Sequence, residues 1–320
     1  MAHVLVTGGC GFFGSWIAQK LLHSGHRVTV IDLERVTKRW EMILSPEEIE
    51  RIAFVTCRID EPEGVKDTFT RVQPDAVIHL AGMQVPGCRS NPILGARVNV
   101  IGTLAIFEAA AALAKKPPVI YASSAAVFGS DADYDSGAVG DASLPLPGTH
   151  YGAFKLCTEH CGRVYFSEKR IRSVGLRPLT VYGPGRDAGM TSFPTRAVAA
   201  AILKQKFDIP FSGPTTYTFA EEIADLFTAA ALNPPEAARV YTVGGDVLDT
   251  PAFIAELEKA LPGARTFVTC SGGPLPVASR MDDAELRRAF PNVRRIGITE
   301  GLATTINVFK RLAERGRLEV

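Results

Sequence analysis

Charge of either sign is not in excess: 35 lysines and arginines stand against 34 aspartates and glutamates, a net +1. That balance excludes a chain held to nucleic acid by bulk electrostatics. Cysteine is sparse. The six thiols, at 10, 57, 88, 157, 161 and 270, are too few and too scattered in 320 residues for a disulfide framework. Cys157 and Cys161 stand one helical turn apart, and no Cys-x-x-Cys or Cys/His cluster has zinc-site spacing. No metal is expected, and the thiols read as structural ones in a reducing cytoplasm. Long apolar runs are missing too. The Leu104–Ala114 stretch is broken by Glu108 and falls short of the ~18–20 residues of a membrane span, and the start, Met-Ala-His-Val-Leu-Val, has no secretory pattern. Internal repeats and low-complexity tracts are absent.

What remains is an ordinary globular composition, 46% hydrophobic and 22% charged. Runs that are apolar and largely β-branched, Val4–Val6, Val28–Ile31, Ala53–Val55, Ala76–Ile78 and Val119–Tyr121, alternate with longer amphipathic ones. The first helix is expected from about Phe13 to Ser24, ending at Gly25, and another from Pro92 through Ala109. Strands alternating with helices require crossovers, hence a doubly wound parallel α/β sheet. From about residue 182 the pattern loosens around helices near 194–206, 220–232, 251–261 and 300–313, and Val240–Val243 reads as a late strand returning to the main sheet. Residues 1–181 with roughly 216–245 are therefore expected to form the doubly wound domain. Residues 182–215 and 246–320 would form a smaller α/β substrate lobe. Ser130–Gly148, rich in Asp and Pro, is expected to cover a site.

Thr7-Gly8-Gly9-Cys10-Gly11-Phe12-Phe13-Gly14 follows the first strand and opens the first helix. Glycines at 8, 11 and 14 let the chain turn, let backbone approach a pyrophosphate, and let the helix pack on the sheet. A glycine triplet alone is weak evidence, but Asp32 at the end of the next strand adds an acceptor for both ribose hydroxyls and repels a 2′-phosphate. NAD is favoured over NADP, although Arg35 lies close enough to accommodate that phosphate. Tyr151 and Lys155 share one helix face. Lowering a phenol from ~10 to ~7 takes roughly 4 kcal/mol, which Lys155 and an oxidised nicotinamide are placed to supply. Ser124 lies in the small-residue loop after the fifth strand and is expected to hold the reacting oxygen near Tyr151. No Gly-x-Ser-x-Gly surrounds it, so a hydrolase elbow is unsupported.

The ordered set Val-Thr-Gly-Gly-Cys-Gly-Phe-Phe-Gly (6–14), Asp32, Asp60, His-Leu-Ala-Gly (79–82), Asn-Val-Ile-Gly-Thr (99–103), Ser-Ser-Ala-Ala-Val-Phe-Gly (123–129), Tyr-Gly-Ala-Phe-Lys (151–155) and Leu-Arg-Pro-Leu-Thr-Val-Tyr-Gly-Pro-Gly (176–185) resembles the extended short-chain dehydrogenase/reductases, specifically the NAD-dependent epimerase/dehydratase family. The resemblance implies that Gly8, Gly11, Phe12, Phe13 and Gly14 hold the pyrophosphate, and Asp32 with Leu33 the adenosine ribose. It gives Asp60 and Ile59 to the adenine, and Leu80, Ala81 and Gly82 to the dinucleotide wall. Asn99 would brace the site, Lys155 would hold the nicotinamide ribose, and Pro178 and Val181 would meet the carboxamide. Tyr151, Lys155 and Ser124 would be catalytic. It also implies a homodimer through helices 99–113 and 151–166.

Departures from the family pattern narrow the chemistry. Ser124-Ala125-Ala126 stands where dehydratases look like Thr-Asp-Glu, so water elimination is rejected. Thr180 and Thr216–Ala220 stand where nucleotide-sugar enzymes tend to carry diphosphate donors. The expected substrate is thus a small sugar, polyol or sugar acid, contacted by Gln84, Ser124, Thr180, Arg186 and Thr191. A net dehydrogenase is expected ahead of an epimerase with a transient keto intermediate, and both ahead of a non-catalytic NAD sensor.

Overall fold

A computed structural model describes residues 1–320 apart from Ser136. Seven parallel strands form the main sheet in the order β10-β6-β5-β4-β1-β2-β3. They are β1 (His3–Thr7), β2 (Arg27–Asp32), β3 (Ala53–Thr56), β4 (Ala76–His79), β5 (Val119–Ala122), β6 (Ser173–Arg177) and β10 (Ala238–Thr242). Val4, Leu5, Val6, Val77, Ile78, Val119 and Ile120 have no exposed surface, as strands covered on both faces require. β10 returns to pair in parallel with β6, Val240 opposite Gly175, as the late apolar run implies.

The remaining strands form two small sheets. β7 (Thr180–Tyr182), β9 (Pro214–Phe219) and β11 (Asp246–Asp249) pair in the order β11-β9-β7, while β8 (Phe207–Ile209) pairs in parallel with β12 (Val268–Cys270). The late helices lie at Phe193–Ile202, Ala220–Leu232, Thr250–Ala260 and Ile298–Glu314, close to the expected ranges. One apolar core runs from Trp16 and Leu21 on the first helix through Phe219 and Phe227 to Leu302 and Phe309, so the late segments close onto one face of the main sheet.

The helix expected after Pro92 runs Pro92–Ala112, with its middle turn, Arg97–Ile101, wound as a π-helix. Inserting a residue this way turns Asn99 inward, and π turns often mark functional sites. This is the one described helix long and apolar enough to cross a membrane, with a mean hydropathy of 1.5 over its best window, and half of that window is buried inside the fold. The loop after Ser130 crosses toward the C-terminal segment: Val139 bridges Met281, and Ser279 N donates to Asp131 at 2.7 Å. Its Ser136 lies outside the described residues.

Candidate active site

The carboxyl ends of β1, β2, β4, β5 and β6 open onto a cavity of about 640 Å³. Strand order reverses between β1 and β4, which is where open α/β sheets place ligands. Gly8 sits at φ +68°, and a Cβ there would lie 2.7 Å from Ala81 N, so only glycine lets β1 and β4 deliver their loops this close. The helix Phe12–His23 starts at Gly11 with no side-chain cap, leaving its first amides for a ligand. Asp32 accepts from Cys10 N at 3.1 Å and Leu33 N at 2.9 Å, which fixes its carboxylate at the end of β2. Arg35 is exposed and turned away, donating to Ile49 O at 3.5 Å. Asp60 is buried in the wall, its Oδ2 holding Arg58 at 3.0 Å with Arg97 at 3.5 Å.

The helix His150–Lys169 begins at Thr149, whose hydroxyl accepts from Gly152 N at 3.0 Å. Gly152 is pressed against the loop after β5, since a Cβ there would meet Ala126 O at 2.0 Å. That contact brings Tyr151 to Ser124, whose hydroxyl acts to lower the pKa of the phenol. Ser124 also accepts from Ala126 N at 3.1 Å, which orients it. Lys155, one turn on, is buried, donates to Ala122 O at 2.7 Å and stands 5.6 Å from the Tyr151 ring centre. Burial lowers its pKa to about 8.

The phenol departs from expectation. Burial raises the Tyr151 pKa above its ordinary value, opposed by the Ser124 hydrogen bond and by the Arg186 guanidinium. Of the two cations expected to lower it, Lys155 and an oxidised nicotinamide, Lys155 is not among the causes acting on the phenol, and Arg186 stands there instead. A cationic ligand is still needed beside it.

Of the residues expected to bind ligand, Gly8, Gly11, Phe12, Phe13, Gly14, Asp32, Leu33, Ile59, Asp60, Leu80, Ala81, Gly82, Gln84, Ser124, Tyr151, Lys155, Pro178, Arg186 and Thr191 all line the cavity. Three do not. Thr180 is fully buried with its hydroxyl on that of Thr215 at 2.8 Å, and Val181 packs in the core. Leu179, just ahead of β7, takes the wall position instead. Asn99 sits behind the wall: its amide donates to Met83 O at 3.1 Å and Gly95 O at 3.0 Å, while its buried Oδ1 has no partner. A Cβ on Gly82 would lie 2.7 Å from that oxygen and 3.6 Å from Lys155 Nζ, so both groups converge on one point of the wall.

Sequence reasoning missed Arg58, Arg89 and the Leu275–Val277 segment, all of which line the cavity. Only the proline-rich Gly-Gly-Pro-Leu-Pro run hinted at the last. His150, beside Tyr151, is exposed and stacks on Phe154 at the helix start. Among the described residues no cluster could hold a metal ion. The free helix-start amides, the oriented Asp32 carboxylate and the orphaned Asn99 oxygen together fit a dinucleotide.

Comparison with known proteins agrees. The family model described as the NAD dependent epimerase/dehydratase family matches residues 4–244. The UDP-glucose 4-epimerase of Mycolicibacterium smegmatis is 27% identical over 97% of this chain and 99% of its own. A probable UDP-glucuronate 4-epimerase of Rhizobium meliloti is 22% identical over 99% of both. Among solved structures, the UDP-glucose 4-epimerase of Thermus thermophilus, crystallised with NAD, superimposes with a TM-score of 0.80 at 24% identity, covering 96% of this chain and 99% of that one. A monomeric L-threonine 3-dehydrogenase from a metagenome does so at 0.83 and 18%, covering 97% and 99%. At these identities the structural likeness speaks for the fold.

Proposed function

The chain belongs to the NAD-dependent epimerase/dehydratase family, and from that premise we propose that it oxidises and re-reduces a secondary alcohol of a carbohydrate, with Tyr151 as the acid–base group. The observation that carries this reading is the convergence of Ser124 and Tyr151 on the cavity wall, with the buried Lys155 ammonium 5.6 Å from the Tyr151 ring centre. Gly8, Gly11 to Gly14, Asp32 and Asp60 would hold NAD, and bound there it supplies the hydride acceptor and donor. Ser124 donates a hydrogen bond to the substrate oxygen and orients it. Tyr151 takes the hydroxyl proton on oxidation and returns it on reduction. Lys155 keeps a positive charge within reach of the phenol, and Pro178 and Leu179 shield the reacting carbon from water.

The named relatives support a sugar 4-epimerase, in which the ketone turns and is reduced on its other face. This displaces the net dehydrogenase that the missing diphosphate donors favoured. The dehydrogenase stands as a second reading on one observation: Thr180 and Thr215 are buried against each other and offer nothing to a diphosphate. Incubation with NAD and a set of free and UDP-linked sugars tests both. Inverted configuration without NADH accumulation supports the epimerase, stoichiometric NADH the dehydrogenase, and neither outcome on any carbohydrate refutes the proposal. The same reading pairs two copies through helices 99–113 and 151–166, where Ile101 and Val164 are exposed. Light scattering should then give twice the 34.4 kDa chain mass, falling to one mass in Val164→Asp.

A further inference from the structure

Arg186 is a charged group at the site with an enclosed and unused donor. Its Nη2 donates to Thr191 Oγ1 at 2.9 Å and its guanidinium carbon lies 5.6 Å from the Phe12 ring centre. Its Nε is enclosed yet has no hydrogen-bond partner. Asp187, the next residue, is taken by Arg39 at 2.7 Å, so no carboxylate of the protein pairs with Arg186 among the described residues. Arg186 is half-buried, and an enclosed donor left unused is costly unless a ligand completes it.

Its surroundings define that ligand. Arg186 and Thr191 line the same cavity as Ser124 and Tyr151, and the guanidinium charge reaches the phenol, so the anion would lie close to the reacting alcohol rather than at a distant end of the substrate. The donors Nε and Nη2 lie on one edge of a planar fork, whose parallel N–H bonds match the two oxygens of a carboxylate. Gln84 adds a polar group nearby: a Cβ on Gly189 would lie 2.2 Å from Gln84 Oε1 and 3.3 Å from Arg186 Nη2. The Gln84 side chain lines the same cavity.

We propose that Arg186, with Thr191 and Gln84, receives a carboxylate borne next to the reacting alcohol, making the substrate a sugar acid. This deepens the reading of Tyr151 as the acid–base group and rests on it. A neutral sugar would leave the guanidinium unpaired, so the site discriminates by penalty as well as by attraction. A diphosphate, separated from the reacting carbon by the body of the sugar, does not reach this donor edge.

The test compares matched pairs on the NAD-loaded protein: glucuronate with glucose, galacturonate with galactose, and UDP-glucuronate with UDP-glucose. Wild type should bind at least one acid more tightly than its neutral partner by calorimetry. Arg186→Met should weaken that acid by roughly a hundredfold and leave its neutral partner within a few-fold. Arg186→Lys should recover part of the loss, because it restores charge but not the fork. Melting temperature and NAD affinity establish that the variants are folded. No preference for any acid in wild type overturns the proposal, as does equal weakening of acid and neutral partner, or a loss confined to UDP-linked ligands. These measurements read binding, so they fail separately from the Tyr151 assignment. An active Tyr151→Phe enzyme would sink that assignment and leave an observed acid preference standing.

Discussion

Replacing Glu159 by glutamine removes one charge from a buried pair and keeps its shape. Arg177 at the end of β6 donates to Glu159 Oε1 at 2.7 Å and Oε2 at 2.6 Å, and the two residues are only 5% and 4% exposed. Ser123 donates to the same carboxylate at 2.5 Å, and the guanidinium lies 5.0 Å over the Phe128 ring. The pair therefore ties β6 and the loop after β5 to the helix carrying Tyr151. Leaving a buried guanidinium uncompensated costs about 3–5 kcal/mol. Against a typical stability of ~5–15 kcal/mol that is a large fraction, worth several degrees of melting temperature. Replacing both partners, Glu159→Leu with Arg177→Met, should cost far less than the single change, because no charge is stranded. Urea unfolding followed by circular dichroism measures both. A single variant losing under about 1 kcal/mol, or a double variant losing as much as the summed singles, would refute the reasoning.

Two further predictions concern the site directly. Because burial brings Lys155 to about 8, its charge disappears as the pH rises through that value, and kcat/KM should fall on the alkaline side. Lys155→Arg keeps its charge, so in that variant the alkaline limb should vanish from the pH profile. Asp32→Ala removes an oriented ribose acceptor and the charge that repels a 2′-phosphate. NAD should bind about tenfold more weakly and NADP relatively better, as cofactor titration by fluorescence would show.

The parallel sheet was legible because fully buried strands leave continuous apolar runs, and the glycine loop because Gly8 and Asp32 must stand at fixed places beside β1 and β2. Sequence was a poorer guide where side-chain direction decided the role. Thr180 and Val181 belong to β7, which leaves the main sheet and turns those residues inward toward β9 and the core. Alternation along three residues cannot say which face meets a cavity. The behaviour of Tyr151 was equally hidden, since the spacing of Lys155 is local whereas burial and Arg186 come from tertiary packing. Leu275–Val277 reaches the site from about eighty residues beyond Thr191, and no periodicity marks such a contact. The π turn at Asn99 was read as ordinary helix because its apolar pattern is unbroken.

Proton transfer by Tyr151 is most directly tested by single-turnover reduction of bound NAD in Tyr151→Phe, read beside its dissociation constant. The account predicts a rate lower by ~10²–10⁴ with NAD affinity within a few-fold of wild type. A variant that reduces NAD at the wild-type rate would contradict it.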